Sequence, residues 1–407
     1  MPDPDPIVLA FSGGLDTSYC VPWLAETHDR PVVTVTVDTG GLDPDAAQAL
    51  EAHAKALGAS EHVRVDARDA FFAEVIRFLV YGNIRRGHLY PLCVGAERGL
   101  QAREAARVAR RLGAGAVAHG CTAAGNDQVR FEVAIRTLAP GLEILAPVRD
   151  HPEPRATQLD YLRTRGLPVP ASGGAYSINR GLWGVTIGGR ETLDSQASIP
   201  EEAWVLTRGA FDSPAPPSRH TVAFENGVAT AFDGETLPPV ALIERIESEA
   251  ARHGIGRGIH LGDTLLGTKG RVAFEAPAAE VLITAHRELE KLTLTGRQAR
   301  IKDQVAGVYG DLVHEGQHLD PVCRDIEALL ASSQRNVTGE VRMLFRAGAL
   351  FVEGVDSPHS LLAASRGVYG EAAGEWTAVD ATGFARIVSL TSMLHARASG
   401  EAEPGDS

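Results

Sequence analysis

Short apolar runs alternate with amphipathic stretches through the first third of the chain. Ile7–Phe11 is apolar and runs into the pair Gly13-Gly14, the pattern of a strand feeding a turn. A helix is predicted from Asp16 to Thr27, kinked at Pro22, which lacks an N–H to donate. The β-branched run Val32–Val37 predicts a strand. Pro44–Leu57, rich in alanine, predicts a helix with Asp43 as N-cap and Pro44 in the first helical position, where a missing N–H costs little. His62–Val65 predicts a strand, Phe71–Val80 and Ala96–Leu112 predict helices, and Gly115–Ala118 and Ile144–Val148 predict two more strands. Strands alternating with helices pair in parallel through right-handed crossovers. The expected fold class is α/β, a doubly wound parallel sheet.

The pattern changes in the second half. Thr207–His220 carries Pro214, Pro216 and Pro217 and reads as a loop or linker. Thr221–Ala231 predicts a hairpin, because Asn226-Gly227 accepts the positive φ of its tight turn. Leu237–His253, Ala278–Leu292 and Pro321–Ser333 predict helices, and Val337–Gly354 predicts two antiparallel strands. The polar end, Gly400–Ser407, is expected to be disordered. The parallel sheet is thus expected to be followed by an α+β domain and a C-terminal helix, with boundaries placed at 1–170, 171–380 and 381–407.

Composition narrows the classes. Of 407 residues, 44% are hydrophobic and 22% charged, as in soluble globular proteins. The longest apolar runs are far short of the ~20 residues that cross a bilayer, and the first residues show no basic segment of a secretory signal. A cytoplasmic protein with no membrane partner is expected. Lys+Arg 39 against Asp+Glu 52 leaves a net charge of −13, which disfavours binding to a nucleic-acid backbone. The four cysteines, Cys20, Cys93, Cys121 and Cys323, form no CxxC and no Cys/His spacing. They read as reduced thiols, and no metal ligand set is predicted from protein side chains.

Two segments carry chemistry. In Ser12-Gly13-Gly14-Leu15-Asp16-Thr17-Ser18 a strand meets a glycine turn and a helix start, a junction that aims backbone N–H groups at an anion. Gly13 and Gly14 allow close approach, and Ser12, Thr17 and Ser18 add hydroxyls. Asp16 would repel a bare phosphate, so its roles are helix capping or an indirect contact through phosphate-bound Mg²⁺. Neither GxxxxGK[ST] nor GxGxxG is present. The bland alternative is a capped turn with no ligand. The second segment, Ala118–Glu132, leaves a strand at Gly120 and holds Thr122, Asn126, Asp127 and Arg130. In an open parallel sheet it falls beside the first loop, at the carboxyl ends of the strands. Arg130 suits a carboxylate, Asp127 an ammonium and Asn126 either a donor or an acceptor, a combination fit for amino acids. A solvated turn with Asn126 and Asp127 as helix caps is the alternative.

The first segment resembles the SGGxD[ST] loop of ATP pyrophosphatases, which cleave ATP between the α and β phosphates. With Ala118-His119-Gly120 through Asn126-Asp127-Gln128-Val129-Arg130-Phe131-Glu132, the chain is similar to the argininosuccinate synthase family up to about Leu394. The resemblance implies ligation of citrulline to aspartate with ATP and Mg²⁺, forming AMP and pyrophosphate through a citrullyl-adenylate. It implies that Ala10, Phe11, Ser12, Gly13, Gly14, Leu15, Asp16, Thr17, Ser18, Val37 and Gly120 hold ATP. It gives Thr122, Asn126 and Asp127 to aspartate, and Asn126, Arg130, Tyr90, Ser177 and Thr186 to citrulline, with Asp16, Asp127 and Arg130 closest to the chemistry. A homotetramer, with the segment Ala381–Arg397 reaching across subunits, is implied too. No general base is named by the sequence.

The departures fall mostly on the citrulline side. Ala124 replaces a lysine, Asn179 and Gly181 replace an aspartate and an asparagine in the YSID-x-N-LWG segment, and Thr186 replaces a serine. Gly95 stands for a serine, Gly262 for a glutamate and Phe274 for a tyrosine. The register there rests on Gly267, Lys269 and Arg271 and on Asn336–Gly339. Three rivals remain: a tRNA-modifying pyrophosphatase, which the charge opposes; a ligase of the same chemistry for another ureido or amide substrate; and a nucleotide-binding module without catalysis.

Overall fold

A computed structural model of the chain describes residues 5–170, 176–371 and 373–400. Residues 401–407, most of the polar end expected to be disordered, lie outside the described residues. The chain divides into a compact unit running to His359 and a second unit from Ser360.

In the first unit, β1 (Ile7–Ala10), β2 (Val32–Asp38), β3 (Glu61–Asp66), β4 (Ala116–His119) and β5 (Glu143–Leu145) form one parallel sheet in the order β3-β2-β1-β4-β5. Its central strands are apolar on both faces because helices cover both. One face packs Ile7, Leu9, Ala116 and Ala118 on the helix Leu15–His28, and the other packs Val8, Val33, Val35 and Val117 on the helices Arg98–Arg111 and Asp127–Leu138. The order reverses between β1 and β4, so a crevice opens above their carboxyl ends. Asp43 caps the helix Pro44–Ala56, its Oδ1 accepting from Ala46 N at 2.7 Å. The helix Leu15–His28 runs through Pro22. The strand expected over Ile144–Val148 stops at Leu145, because Pro147 opens a short helix, Pro147–Asp150.

Two antiparallel sheets follow. β8 (Ser218–Glu225) and β9 (Val228–Phe232) make the predicted hairpin, with Asn226 at φ 49° and Gly227 at φ 79°. With β10 (Glu235–Thr236), β13 (Gly339–Arg346) and β14 (Ala349–Asp356) they form a sheet in the order β10-β9-β8-β13-β14. β6 (Tyr176–Gly181), β7 (Gly184–Gly189), β11 (Arg257–Asp263) and β12 (Lys269–Glu275) form the other, in the order β11-β12-β7-β6. Val185, Ile187 and Ala273 of this sheet pack on Ile199 and Trp204. Residues directly opposite one another share a face, so the register puts Asn179, Thr186, Phe274 and Gly258 in a row on the reverse side. The helix Gly296–His314 is a further element, unmarked in the sequence reading.

Candidate functional site

The crevice above β1 and β4 is a cleft of about 700 Å³ lined by Ser12, Gly14, Asp16 and Thr17 from the first loop, Val37 at the end of β2 and Thr39 after it, Gly120–Thr122, Asn126, Asp127 and Arg130 after β4, and Ser177–Arg180 of β6. The two predicted segments touch directly. A Cβ built on Gly120 would lie 2.9 Å from Thr17 Cγ2 and 3.2 Å from Thr17 N, so only glycine lets β4 close against the helix start. Gly13 takes φ 74° and turns toward Leu50, whereas Gly14 faces open space with only Ser12 Oγ within reach, at 3.6 Å. Thr17 Oγ1 donates to Gly14 O at 3.2 Å. Gly14 is the helix N-cap residue, and Asp16 stands in the first turn. Among the described residues the Asp16 side chain has no hydrogen-bond partner, so the capping role considered for it is not used. Besides Gly13, two loop residues fall away from the cleft: Leu15 is in the core, and Ser18 is fully buried with its hydroxyl against Gly13 O and His53 Nε2 at 2.9 Å. Ser18 therefore shapes the loop from behind, because its place on the helix turns it inward.

The second segment opens the helix Asp127–Leu138. Asn126 Oδ1 accepts from Leu265 N at 3.0 Å and thereby ties the β11–β12 turn to the cleft. Thr122 is exposed on the cleft wall. Asp127 receives Arg130 Nη1 on Oδ1 at 2.7 Å and Arg98 Nε on Oδ2 at 3.0 Å. Burial would raise its pKa, but the two guanidiniums outweigh burial and hold the carboxyl at about 2. Arg130 departs from expectation. It is 5% exposed, and its remaining nitrogens meet His314 O at 2.8 Å and His314 Nδ1 at 3.4 Å. The fork predicted to grip a substrate carboxylate is committed to protein, which makes Arg130 a brace for Asp127.

Two neighbouring side chains were missed in the sequence. Arg98 is the hub of the cleft: besides Asp127 it donates to Glu97 Oε1 at 3.1 Å, Gln101 Oε1 at 2.7 Å and Asn179 Oδ1 at 3.0 Å. Glu97 is buried, and its Oε2 accepts from Thr39 Oγ1 at 2.7 Å. Gly181 makes room for it, since a Cβ there would lie 2.2 Å from Glu97 Oε2. The departures Asn179 and Gly181 thus meet one pair of side chains: a neutral amide faces Arg98 from β6, and Gly181 admits the buried Glu97 side chain. A Glu-Arg pair at a helix start beside an expected anion site was the available signal.

The residues assigned to citrulline separate into two groups. Ser177 lines the cleft. Tyr90 is buried, with His260 stacked on its ring at 5.4 Å and Phe274 edge-on at 5.2 Å. Thr186 lies opposite Phe274 in the sheet register. Gly95 leaves room for Arg130, whose Nη2 would be 3.3 Å from a Cβ there. Gly262 likewise admits His260, whose Nε2 would be 2.6 Å from a Cβ at 262. Burial lowers the pKa of His260, with Arg86 acting in the same direction.

Residues 6–168 match the family model for the argininosuccinate synthase N-terminal HUP domain, and residues 176–395 match the C-terminal domain. The chain is 41% identical over 397 residues to an argininosuccinate synthase of Xanthomonas campestris pv. campestris, covering 96% of this chain and 98% of that protein. It is 40% identical to one of Xylella fastidiosa, with 96% and 97% covered, and 39% identical to one of Pyrobaculum aerophilum, with 96% and 98% covered. Matches of this extent across both domains, over a cleft built from the predicted loop and cluster, place the chain in the argininosuccinate synthase family.

Proposed function

We propose that the chain is an AMP-forming carbon–nitrogen ligase that joins L-citrulline to L-aspartate, giving argininosuccinate, AMP and pyrophosphate in arginine biosynthesis. The observation that carries this reading is the packing of Gly120 on Thr17, which gathers the anion-binding loop and the polar cluster around Asp127 into one cleft. A ureido carbon is a poor electrophile with no good leaving group. Attack of the ureido oxygen on the α-phosphorus of ATP forms a citrullyl-adenylate and expels pyrophosphate. Gly14 and the N–H groups of the helix start receive the charge that grows on the leaving pyrophosphate, while Ser12 and Thr17 supply hydroxyls. The aspartate amine then attacks the activated carbon and AMP departs. Asp127, held ionised by Arg98 and Arg130, orients that amine, and Thr122 and the amide nitrogen of Asn126 complete its surroundings.

The unpartnered Asp16 carboxylate at the mouth of the loop fits Mg²⁺, which binds through one or two carboxylates together with substrate phosphates. When bound, the ion would neutralise phosphate charge. We assign residues 1–170 to ATP, 171–380 to completion of the amino-acid sites and 381–407 to assembly, in a cytoplasmic homotetramer. Among the described residues no helix is long and apolar enough to cross a membrane.

Pyrophosphate release tests the reading, measured with ATP and Mg²⁺ plus citrulline, aspartate, both or neither. Release is expected to require citrulline, and argininosuccinate is expected once aspartate is added. Gly14→Val should abolish release with the melting temperature unchanged, because a side chain at 14 enters the cleft and meets no core atom. Tight ATP binding with no release would retain the loop and remove the substrate assignment.

A further inference from the structure

The face of the sheet β11-β12-β7-β6 that carries Ser177 and Asn179 to the cleft is unusual in what it lacks. Opposite residues share a face, and the register puts Ser177, Asn179 and Gly181 of β6 with Gly188, Thr186 and Gly184 of β7. Phe274 of β12 continues the row beside Thr186, and Val272 and Phe274 stand opposite His260 and Gly258 of β11, with Gly262 next along. Among these residues there is no carboxylate. The polar groups are two hydroxyls, one amide and one imidazole. That imidazole fills the space that Gly262 and Gly87 leave open, its ring 2.6 Å and 3.1 Å from the Cβ positions they lack, and lies flat on Tyr90.

The charges on the elements packed against this face are mainly positive. Arg98 reaches Asn179, Arg130 lies over Gly95, and Arg86 donates to Asp263 O. His314 beside Arg130 is neutral, its pKa pushed down to about 3 by burial and by Arg130. The nearby carboxylates already have guanidinium partners: Glu97 and Asp127 with Arg98, Asp127 also with Arg130, and Asp311 with Arg86. A carboxylate on a bound substrate meets favourable charge here, whereas an α-ammonium meets neutral acceptors on the face itself and, beyond it, carboxylates already paired with guanidinium groups.

We propose that this face takes the ureido substrate without an ion pair to its α-ammonium, so that ureido acids lacking the amino group are substrates alongside citrulline. The proposal rests on the ligase reading above and sets the substrate class of the same site. The chemistry is unchanged for such an acid. The ureido oxygen forms its bond to the α-phosphorus as the α–β bridging P–O bond breaks, and pyrophosphate leaves with the electron pair. Aspartate nitrogen then bonds the ureido carbon, the C–O bond to AMP breaks, and the nitrogen gives up its proton to solvent.

The test compares kcat/KM for citrulline and for 5-ureidopentanoate, its analogue with hydrogen in place of the amino group, by pyrophosphate release at saturating ATP, Mg²⁺ and aspartate. A preference for citrulline below tenfold is expected. A charge-assisted contact worth ~1.5–3 kcal/mol would instead impose ~10–150-fold, and a preference of tenfold or more overturns the proposal while leaving the ligase reading in place. Release with neither compound removes the ligase reading itself, and the proposal with it. The double variant His260→Ala/Gly262→Glu, which places a carboxylate on the face and clears its path, should raise the citrulline preference at least tenfold with KM for aspartate unchanged. An unaltered preference in a variant that melts like the parent counts against the proposal.

Discussion

Glu97 shows how one side chain can be decisive in the cleft and silent in the sequence. The loop Ser12–Ser18 and the cluster at Asn126–Arg130 were legible because spacing in one short segment defined them. Arg98 and Glu97 act on partners 29 to 81 residues away, Asp127, Thr39 and Asn179, and no local pattern records such contacts. The chemistry of Glu97 gives a direct test. Burial pushes its carboxyl up from 4.5 to about 7, against the opposing pull of Arg98 and Thr39. A carboxyl raised on folding contributes stability that is complete below its ordinary value and lost as the pH climbs through the folded value. Between pH 4.5 and about 7 the wild-type protein therefore loses stability that Glu97→Gln, which has no proton to release, keeps. The melting temperature of the variant minus that of the wild type should rise by a few °C between pH 5 and pH 8, each ~1 kcal/mol moving a domain of this size by about 2 °C. A difference independent of pH would mean that Glu97 does not titrate in this range.

At the scale of elements, legibility followed how far local chemistry matched tertiary fate. The hairpin at Asn226-Gly227, the capped helix at Pro44 and the helix Pro321–Ser333 were marked by turn and cap residues at their own ends. The sheet β11-β12-β7-β6 was not, because glycines that admit Glu97, Phe274 and His260 thin out the alternation expected of strands. The helix Gly296–His314 carried a usable signal, the Thr295 and Gln298 capping box. Its buried face, however, includes Lys302, and a lysine breaks the apolar period. Lys302 is 1% exposed and donates from Nζ to Tyr81 O at 2.7 Å and to Glu290 at 2.8 Å. Glu290 in turn accepts from Asn83 at 2.6 Å and Gln334 at 2.9 Å. Removing one partner of a buried pair leaves the other charge uncompensated, at about 3–5 kcal/mol. Lys302→Ala should lower the unfolding free energy by that amount in urea titrations. Lys302→Met/Glu290→Gln should recover most of it, and a double variant no better than the single would refute the pairing as the source.

For the whole molecule the question is what completes the second unit. The helix Ala378–Ala398 is 21 residues long, is capped by Thr377 with Asp380, and buries no residue. Val379, Phe384, Ile387 and Val388 are 60–80% exposed, with Leu390, Met393 and Leu394 behind them at 42–59%. An apolar helix of this kind is stabilised by packing and is marginal in water without it. Phe384, Ile387, Val388 and Leu394 recur at helical spacing, and such a stripe fits a neighbour of the same kind. The chain belongs to a family whose resemblance implied a tetramer, and a symmetric assembly of identical chains is the simplest partner for a face that every copy carries. Phe384→Glu/Ile387→Glu would bury two unpaired charges in that contact and should shift the molar mass measured by light scattering from that of the proposed tetramer toward one or two chains. Pyrophosphate release per chain should fall less than tenfold, since the residues lining the cleft and those of the proposed substrate face all lie before residue 275, outside this helix. If the wild-type chain is a monomer in the same measurement, or the double variant keeps the wild-type mass, this helix does not hold the assembly together.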